Sequence, residues 1–141
     1  MQFIDLKTQQ ARIRQDIEER IGKVLDHGQY ILGKEGRELE EKLADYVGTQ
    51  YGVGVASGTD ALLMALMAFE VGPGDAVITT PFTFIATAEV IKLVGATPVF
   101  VDIEPDTFNI DTKKLEETID RIKSEGRLNL KCVIPADLFR Q

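Results

Sequence analysis

The stretch from Ser57 to Asp60 places small polar groups directly before an apolar segment, in SGTDALLMAL. Ser57 suits the N-cap of a helix, and Asp60, three residues later, gives a spacing close to that of a capping box. Gly58 would let a ligand approach the backbone, and Thr59 adds a hydroxyl. Free backbone N–H groups and the helix dipole favour an anion at a helix start. The residues alone support a plain helix start and a phosphate site equally.

Two aromatic residues, Phe82 and Phe84, follow the next predicted strand in the stretch TTPFTFIATAE at 79–89. Each ring on its own is most simply explained as a core residue. In a parallel sheet, ligands collect at the carboxyl ends of the strands, so both stretches would face the same crevice. The alternative is therefore that one ring lies flat against a planar ligand. A phosphate site beside an aromatic wall predicts an aromatic phosphate ligand.

The elements that must position these residues follow from periodicity and turn signals. Apolar spacings of three and four predict helices, at Thr8–His27, Gly36–Val47, 57–69, 84–95 and 112–126. Short apolar runs predict strands, at 51–56, 76–80, 96–103 and 131–135. Strand followed by helix, three times over, is the pattern of right-handed βαβ units. Continuous apolar strands indicate a parallel sheet covered on both faces, so the predicted fold class is α/β with a three-layer core.

The composition predicts a protein with a substantial core and excludes two classes of partner. Of 141 residues, 44% are hydrophobic, and 23 acidic against 16 basic residues give a net charge of −7. Nucleic acids and anionic membranes need clustered Lys and Arg, so neither is an expected partner. No apolar stretch approaches the ~20 residues of a membrane span, and the polar start is unlike a signal peptide. A cytoplasmic location is expected.

The chain has one cysteine, Cys132, and one histidine, His27. A single cysteine cannot form an intramolecular disulfide, and its apolar surroundings predict a small buried side chain. His27 precedes Gly28 at a predicted helix end, which favours a surface or capping role. With so few nitrogen and sulfur ligands, no metal site is predicted.

Three separate motifs resemble a known enzyme family. SGTDALLMAL, PGDAVITTPFTFIATAEVI and GATPVFVDIEPDTFNID are similar, in order and spacing, to the sugar aminotransferases of the DegT/DnrJ/EryC1/StrS family. The similarity extends from FIDLKTQQ at the start of the chain to PADLFRQ at its end. The resemblance implies pyridoxal phosphate (PLP) as the cofactor. It also implies the PLP-transferase fold type I architecture of the aspartate aminotransferase superfamily.

The resemblance further implies roles for individual residues around the cofactor. Gly58 and Thr59 match the phosphate cup of the family, with Ser57 close by. Phe84 matches the aromatic residue that stacks on the cofactor ring, whereas Phe82 matches a supporting position. These four cofactor-binding residues, Ser57, Gly58, Thr59 and Phe84, are the site that the resemblance predicts.

A second segment, GQYILGKEG at 28–36, resembles a family segment that lies near the active site, often at the subunit boundary. Tyr30 and Gly33 are the substrate-binding candidates in it. The family resemblance implies a homodimer with active sites at the interface. It also implies two parts, with residues 1–50 as N-terminal helices packing on the large domain and residues 51–141 as the first half of that PLP-binding domain.

Two groups that PLP chemistry needs are not expected in this chain. They are the lysine that holds the cofactor as a Schiff base and the acid that pairs with the pyridine nitrogen. In the resembling family both follow the position of residue 141. The chain also stops directly after a predicted strand, and Arg140 stands where family members usually have glycine. We therefore expect the N-terminal portion of the family fold, without catalytic residues and inactive on its own.

The resemblance leaves several functions open. For the intact protein it implies transfer of an amino group, with glutamate as the expected donor, to a nucleotide-linked keto-sugar. Some family members are instead sugar dehydratases, in which histidine replaces the Schiff-base lysine at a position outside this chain. A catalytically inactive fragment or interaction module is a third alternative. A Rossmann-type nucleotide domain is disfavoured because no G-x-G-x-x-G follows the first predicted strand.

Overall fold

The computed structural model describes residues 4–139, which divide into two compact units. The first unit runs to Gly54, and the second begins at Val55. The sequence departure at Arg140 lies outside the described residues. The helices and strands are, in chain order, α1 (Leu6–His27), α2 (Lys34–Val47), α3 (Gly58–Ala68), β1 (Asp75–Thr79), α4 (Ala86–Leu93), β2 (Thr97–Phe100), α5 (Thr112–Glu125) and β3 (Asn129–Ile134).

Helix α1 begins at a carboxylate cap. Asp5 accepts hydrogen bonds from the Thr8 hydroxyl (2.6 Å) and from the Thr8 backbone N–H (3.0 Å). These two bonds hold the pKa of Asp5 below its ordinary value. The helix starts before the predicted Thr8 because Asp5 supplies the cap. It ends at His27 as predicted, since Gly28 adopts the left-handed conformation (φ 67°) that terminates helices.

The predicted apolar face of α1 is present but exposed. Ile13, Ile17, Ile21 and Leu25 follow one another at helical spacing, and all four are exposed. No residue of α1 is buried, and Ala44 is the buried residue of α2. The described part of the first unit therefore has little core of its own.

The strand predicted at 51–56 is wrong, because this segment does not join the sheet. The backbone N–H of Gly54 instead donates to Oε1 of Glu40 at 2.6 Å. Gly52 lies so close to α2 that a Cβ there would meet the Glu40 carbonyl oxygen at 2.6 Å. The valine–glycine alternation predicts a strand locally, but a strand needs a neighbouring backbone to complete its hydrogen bonds. Within residues 4–139, Gly52 instead lies against the backbone of α2, and Gly54 donates a hydrogen bond to a side chain of that helix.

The second unit is built on a three-stranded parallel sheet with the order β2-β1-β3. In this register, Val77 of the central strand lies between Pro98 and Cys132. Ala76, Val77 and Ile78 are fully buried, as the continuous apolar pattern predicts for a covered parallel strand. β2 ends at Phe100, earlier than predicted.

Helices cover both faces of this sheet. On one face, Val77 packs in a cluster with residues of α3 and α4, among them Leu66 and Val90. On the other face, Ile78 packs with Ile122 of α5. From β1 the chain crosses to β2 through α4, and from β2 it returns past β1 to β3 through α5. This reversal of direction places the two crossover helices on opposite faces, as right-handed connections require. The predicted three-layer α/β architecture is confirmed.

Cys132 lies on the α3/α4 face of the sheet, packed against the cluster around Val77. Its side chain is half-buried, and this burial raises the pKa of the thiol. The side chain therefore behaves as the small hydrophobic residue that its sequence context predicts.

Candidate functional site

The topology brings the two chemically interesting stretches to one edge of the sheet. The short connection 69–74 joins the end of α3 to the start of β1, so the helix runs antiparallel to the strand. Eleven residues of helix and five of strand each span about 16 Å, so the N-terminus of α3 lies level with the carboxyl end of β1. The loop after β1 and the start of α4 lie at that same edge.

Helix α3 begins at Gly58, and Ser57 caps it as predicted. The Ser57 hydroxyl oxygen accepts a hydrogen bond from the backbone N–H of Asp60 at 3.1 Å. The same hydroxyl donates to Oδ2 of Asp60 at 2.9 Å. The backbone N–H groups of Gly58 and Thr59 have no acceptor within residues 4–139. Capping therefore leaves two donors free at the positive end of the helix dipole.

Gly58 leaves open space directly in front of these donors. A Cβ built at this position would meet nothing within 4 Å, and the backbone φ is not in the left-handed range. Neither backbone conformation nor packing among the described residues requires glycine here. What glycine does provide is unobstructed access to the helix N-terminus for an anion.

The loop between β1 and α4 is held by buried threonines. Thr79 and Thr80 are fully buried, and the Thr79 hydroxyl donates to the carbonyl of Ile134 in β3 at 2.9 Å. The Thr80 hydroxyl accepts a hydrogen bond from the backbone N–H of Phe82 at 3.2 Å. These bonds fix the first residues of the loop to the end of the sheet.

The two aromatic residues of this loop have different surroundings. Phe84 is 73% exposed, so the interpretation of this ring as a core residue does not hold in this structure. The ring of Phe82 packs on that of Phe108, with the centroids 5.7 Å apart. Exposure leaves Phe84 free to stack on a ligand, and the contact of Phe82 fits a supporting position. The stacking role itself stays a prediction.

Tyr30 and Gly33, the predicted substrate residues, lie in the first unit. Tyr30 is 68% exposed. A Cβ at Gly33 would lie 2.5 Å from the carbonyl oxygen of Gln29, so packing alone requires glycine there. Nearby, Nε2 of His27 lies 3.1 Å from Oε1 of Glu35, and its Nδ1 accepts from the backbone N–H of Gln29 at 3.0 Å. The histidine has the capping and surface role that was predicted, while the substrate roles of Tyr30 and Gly33 remain predictions.

A polar network joins the end of β2 to the start of α5. Nζ of Lys114 lies 3.2 Å from Oδ2 of Asp102 and 3.6 Å from Oδ2 of Asp111. Asp111 also caps α5 by accepting hydrogen bonds from the backbone N–H groups of Lys113 and Lys114. The pKa of Asp111 is lowered by these bonds, first by that from Lys114. All of these groups have partners within the fold, so we assign the network a structural role and not a catalytic one.

The described residues, 4–139, contain neither a cluster of metal ligands nor a membrane-spanning helix. Within residues 4–139, no group of three or more His, Cys, Asp or Glu side chains could hold a metal ion. None of the helices in this part of the chain has the length and apolar character needed to cross a bilayer.

Comparison with known proteins identifies the family. The sequence profile of the DegT/DnrJ/EryC1/StrS aminotransferase family matches residues 11–141. The chain belongs to this family, as the three motifs predict.

Curated relatives and solved structures agree with this assignment. The chain is 52% identical, over its whole length, to UDP-2-acetamido-2-deoxy-3-oxo-D-glucuronate aminotransferase of Pseudomonas aeruginosa, covering 37% of that protein. It is 47% identical to UDP-N-acetyl-3-dehydro-alpha-D-glucosamine 3-aminotransferase of Acidithiobacillus ferrooxidans, with 97% of this chain and 35% of the relative covered. A DegT DnrJ EryC1 StrS aminotransferase from Brucella abortus superposes with a TM-score of 0.95 at 52% identity, over 99% of this chain and 37% of that one. The chain thus spans little more than a third of the length of these proteins.

PLP is the cofactor of the aminotransferases in this family. Solved structures similar to the chain include a PLP form and one with bound PMP. The residues of the described site fit such a group. Two unpaired N–H donors and an open glycine suit its phosphate, and the exposed ring of Phe84 suits its planar ring.

Proposed function

We propose that this chain supplies the phosphate-binding and ring-stacking residues of a PLP-dependent aminotransferase that acts on a nucleotide-linked keto-sugar. One observation carries the proposal. In a chain of this family, two free N–H groups at the start of α3 lie at the same sheet edge as the exposed ring of Phe84.

The first task of the chain is to bind the cofactor phosphate. The backbone N–H groups of Gly58 and Thr59 donate to phosphate oxygens, and the dipole of α3 favours their negative charge. Thr59, in the first turn of α3, adds a hydroxyl as a further candidate donor. Ser57 contributes indirectly, since its cap on Asp60 keeps the first turn in place.

The second task is to orient the cofactor ring. Phe84 covers one face of a planar ring with its own ring, and this contact excludes water from that face. Phe82 supports the loop through its ring contact with Phe108. When bound, PLP supplies an electron sink for moving an amino group between two carbon skeletons.

The proton-transferring lysine and the acid at the pyridine nitrogen are assigned to residues outside this chain. We therefore propose that the 141-residue chain alone binds the cofactor without a covalent bond and is inactive. The remaining assignments are also proposals, namely glutamate as donor, a homodimer in the cytoplasm, substrate contacts from Tyr30 and Gly33, and packing of residues 1–50 on the large domain.

The substrate class rests on the relatives. Both curated enzymes described above are named for UDP-linked sugars with an oxo or dehydro carbon. At identities of 52% and 47%, the same class of substrate is the best-supported proposal for the protein that contains this chain.

Amino transfer by the protein expressed from its own gene tests this function. Mixed with L-glutamate and a UDP-linked 3-keto-sugar, it is expected to form 2-oxoglutarate and an amino-sugar in equal amounts. Phe84→Ala should lower the rate, whereas Phe69→Ala should not, because Phe69 is similarly exposed but ends α3 at the opposite edge of the sheet. Loss of the keto-sugar without consumption of glutamate would indicate a dehydratase instead. If neither amino transfer nor dehydration occurred, the proposed enzymatic function would be wrong.

A further inference from the structure

Three phenylalanines from three different loops meet at the carboxyl edge of the sheet. Phe82 follows β1, Phe108 follows β2 and Phe139 follows β3. The ring centroid of Phe108 lies 5.7 Å from that of Phe82 and 5.3 Å from that of Phe139, in tilted and edge-on arrangements. We call these three residues the aromatic cluster. Phe108 is its centre, since it contacts both other rings.

The backbone of Phe108 is strained. Its φ is 61°, a left-handed value that is unfavourable for residues with a bulky side chain. Such a conformation persists only where surrounding interactions impose it. No glycine or asparagine occupies this position, although either would adopt the conformation at less cost.

The loop around Phe108 supplies those interactions. The Phe108 N–H donates to the carbonyl of Glu104 at 2.9 Å, and the Glu104 N–H donates to the carbonyl of Asn109 at 2.9 Å. The Thr107 hydroxyl donates to Oε2 of Glu104 and accepts from the Asn109 N–H. This closed set of hydrogen bonds fixes the backbone so that the ring of Phe108 points to Phe82.

Contact with Phe108 completes the anchoring of the loop that carries Phe84. The backbone of Phe82 is already bonded to the buried hydroxyl of Thr80, and Phe108 now holds its ring. Phe84, two residues further on, is 73% exposed and makes no ring contact within residues 4–139. The carbonyl of Phe84 accepts a hydrogen bond from the backbone N–H of Thr87 in α4 at 3.1 Å, so Phe84 is held by α4 on one side and by the anchored Phe82 on the other.

We propose that Phe108 is a positioning residue, which acts through Phe82 to hold Phe84 in place for the cofactor ring. The proposal rests on the proposed function of Phe84. Formation of a core does not account for the strain, because Phe108 remains 38% exposed and Phe82 43% exposed. The strained residue is instead placed where it orders a loop of the candidate site.

A single tryptophan can report both the mobility of the loop and the binding of the ligand. The chain contains no tryptophan, so Phe84→Trp introduces one indole at the position that the proposal concerns. In this background, Phe108→Gly removes the ring but tolerates the left-handed backbone, and Phe108→Tyr retains the ring. Phe69→Ala, which removes an exposed ring at the opposite edge, is the control. Circular dichroism checks the fold of each variant, and Phe108→Asn replaces the glycine variant if that one unfolds.

Two measurements are made on each 141-residue protein. Fluorescence anisotropy of the indole reports its mobility, and quenching by pyridoxamine phosphate (PMP) reports binding without Schiff-base formation on surface lysines. Phe108→Gly is expected to lower the anisotropy and to weaken PMP binding about two- to tenfold, the range of one aromatic pair. Phe108→Tyr should restore both values, and Phe69→Ala should change neither.

The outcomes separate this proposal from the proposed function. If the Phe84→Trp protein binds PMP but Phe108→Gly leaves either anisotropy or affinity unchanged, the positioning role is wrong and the proposed function stands. If the chain with and without Phe84→Trp fails to bind PMP at all, both proposals are overturned together.

Discussion

At the residue scale, the candidate site depends on backbone groups that a side chain leaves uncovered. Ser57 satisfies the N–H of Asp60 and leaves those of Gly58 and Thr59 free. Capping and anion binding thus use different donors of the same helix turn, and the two explanations of this stretch are compatible. Substitutions at Ser57 can therefore separate them.

Charge at position 57 should affect ligand binding without removing the cap. Ser57→Asn and Ser57→Asp both cap helices well, but only the aspartate places a negative charge beside the anion site. We expect Ser57→Asn to keep PMP affinity near that of the original chain and Ser57→Asp to weaken it about tenfold or more. Isothermal titration at low ionic strength measures the difference, which added salt should reduce.

Ser57→Ala provides the structural control for this pair. Loss of the cap should cost about 1 kcal/mol of unfolding free energy, measured by urea denaturation. Equal PMP affinity for the Asn and Asp variants would argue against an anion at this helix start.

Sequence alone could predict part of this residue-level picture. A serine followed three residues later by aspartate predicts the cap, and the glycine between them indicates access. The left-handed backbone of Phe108 could not be predicted, because the preference of a single phenylalanine disfavours it and a set of hydrogen bonds within residues 104–109 imposes it.

At the element scale, the turn before β1 and the start of β3 meet at one carboxylate. Oδ2 of Asp75 accepts from the backbone N–H of Gly72 at 2.9 Å, and Oδ1 accepts from the side-chain amide of Asn129 at 2.9 Å. These bonds, first that from Gly72, hold the pKa of Asp75 below its ordinary value of 3.8. The carboxylate thus joins the turn before β1 to the first residue of β3.

Acid should remove the contribution of Asp75 to stability. Because its pKa is lower in the folded than in the unfolded chain, the contribution is complete above pH 3.8 and is lost as the pH falls through the folded pKa. Asp75→Asn should therefore be less stable than the original chain at pH 6, and the difference should shrink below pH 3.8. Thermal denaturation at several pH values measures it.

Asp120→Asn removes an exposed negative charge of α5 that has no hydrogen bond within the described residues, and it corrects for net charge. A destabilisation by Asp75→Asn that stays constant from pH 6 to below 3.8 would contradict the assigned hydrogen bonds.

The elements themselves were largely predictable from the sequence. Five helices and three strands lie close to the predicted positions, because the helical periodicity and continuous apolar runs reflect the faces that these elements bury. The strand prediction for 51–56 was wrong because strand formation depends on a partner strand, which the local pattern does not specify. Helix α1 begins earlier than predicted because its cap, Asp5, lies outside the apolar periodicity from which the helix was predicted.

At the scale of the whole molecule, the second unit has an ordered core around β1, whereas the first has little buried surface. Large apolar side chains remain exposed on both units, among them Ile31, Leu39, Leu93 and Phe100. The sequence motifs predicted the family and the three-layer architecture, and both are confirmed. The substrate roles of Tyr30 and Gly33 and the packing of residues 1–50 on the large domain stay predictions, because they rest on the family resemblance alone.

The central claim is that the start of α3 binds the phosphate of the cofactor, and binding of PMP to the 141-residue chain tests it most directly. Pyridoxamine, which lacks only the phosphate, is the ligand control. Gly36→Ala is the protein control for Gly58→Ala, since a Cβ meets nothing within 4 Å at either helical glycine. We predict saturable binding of PMP in preference to pyridoxamine, a marked loss of that preference in Gly58→Ala and none in Gly36→Ala. Equal affinity for the two ligands, or an unchanged preference in Gly58→Ala, would contradict the account.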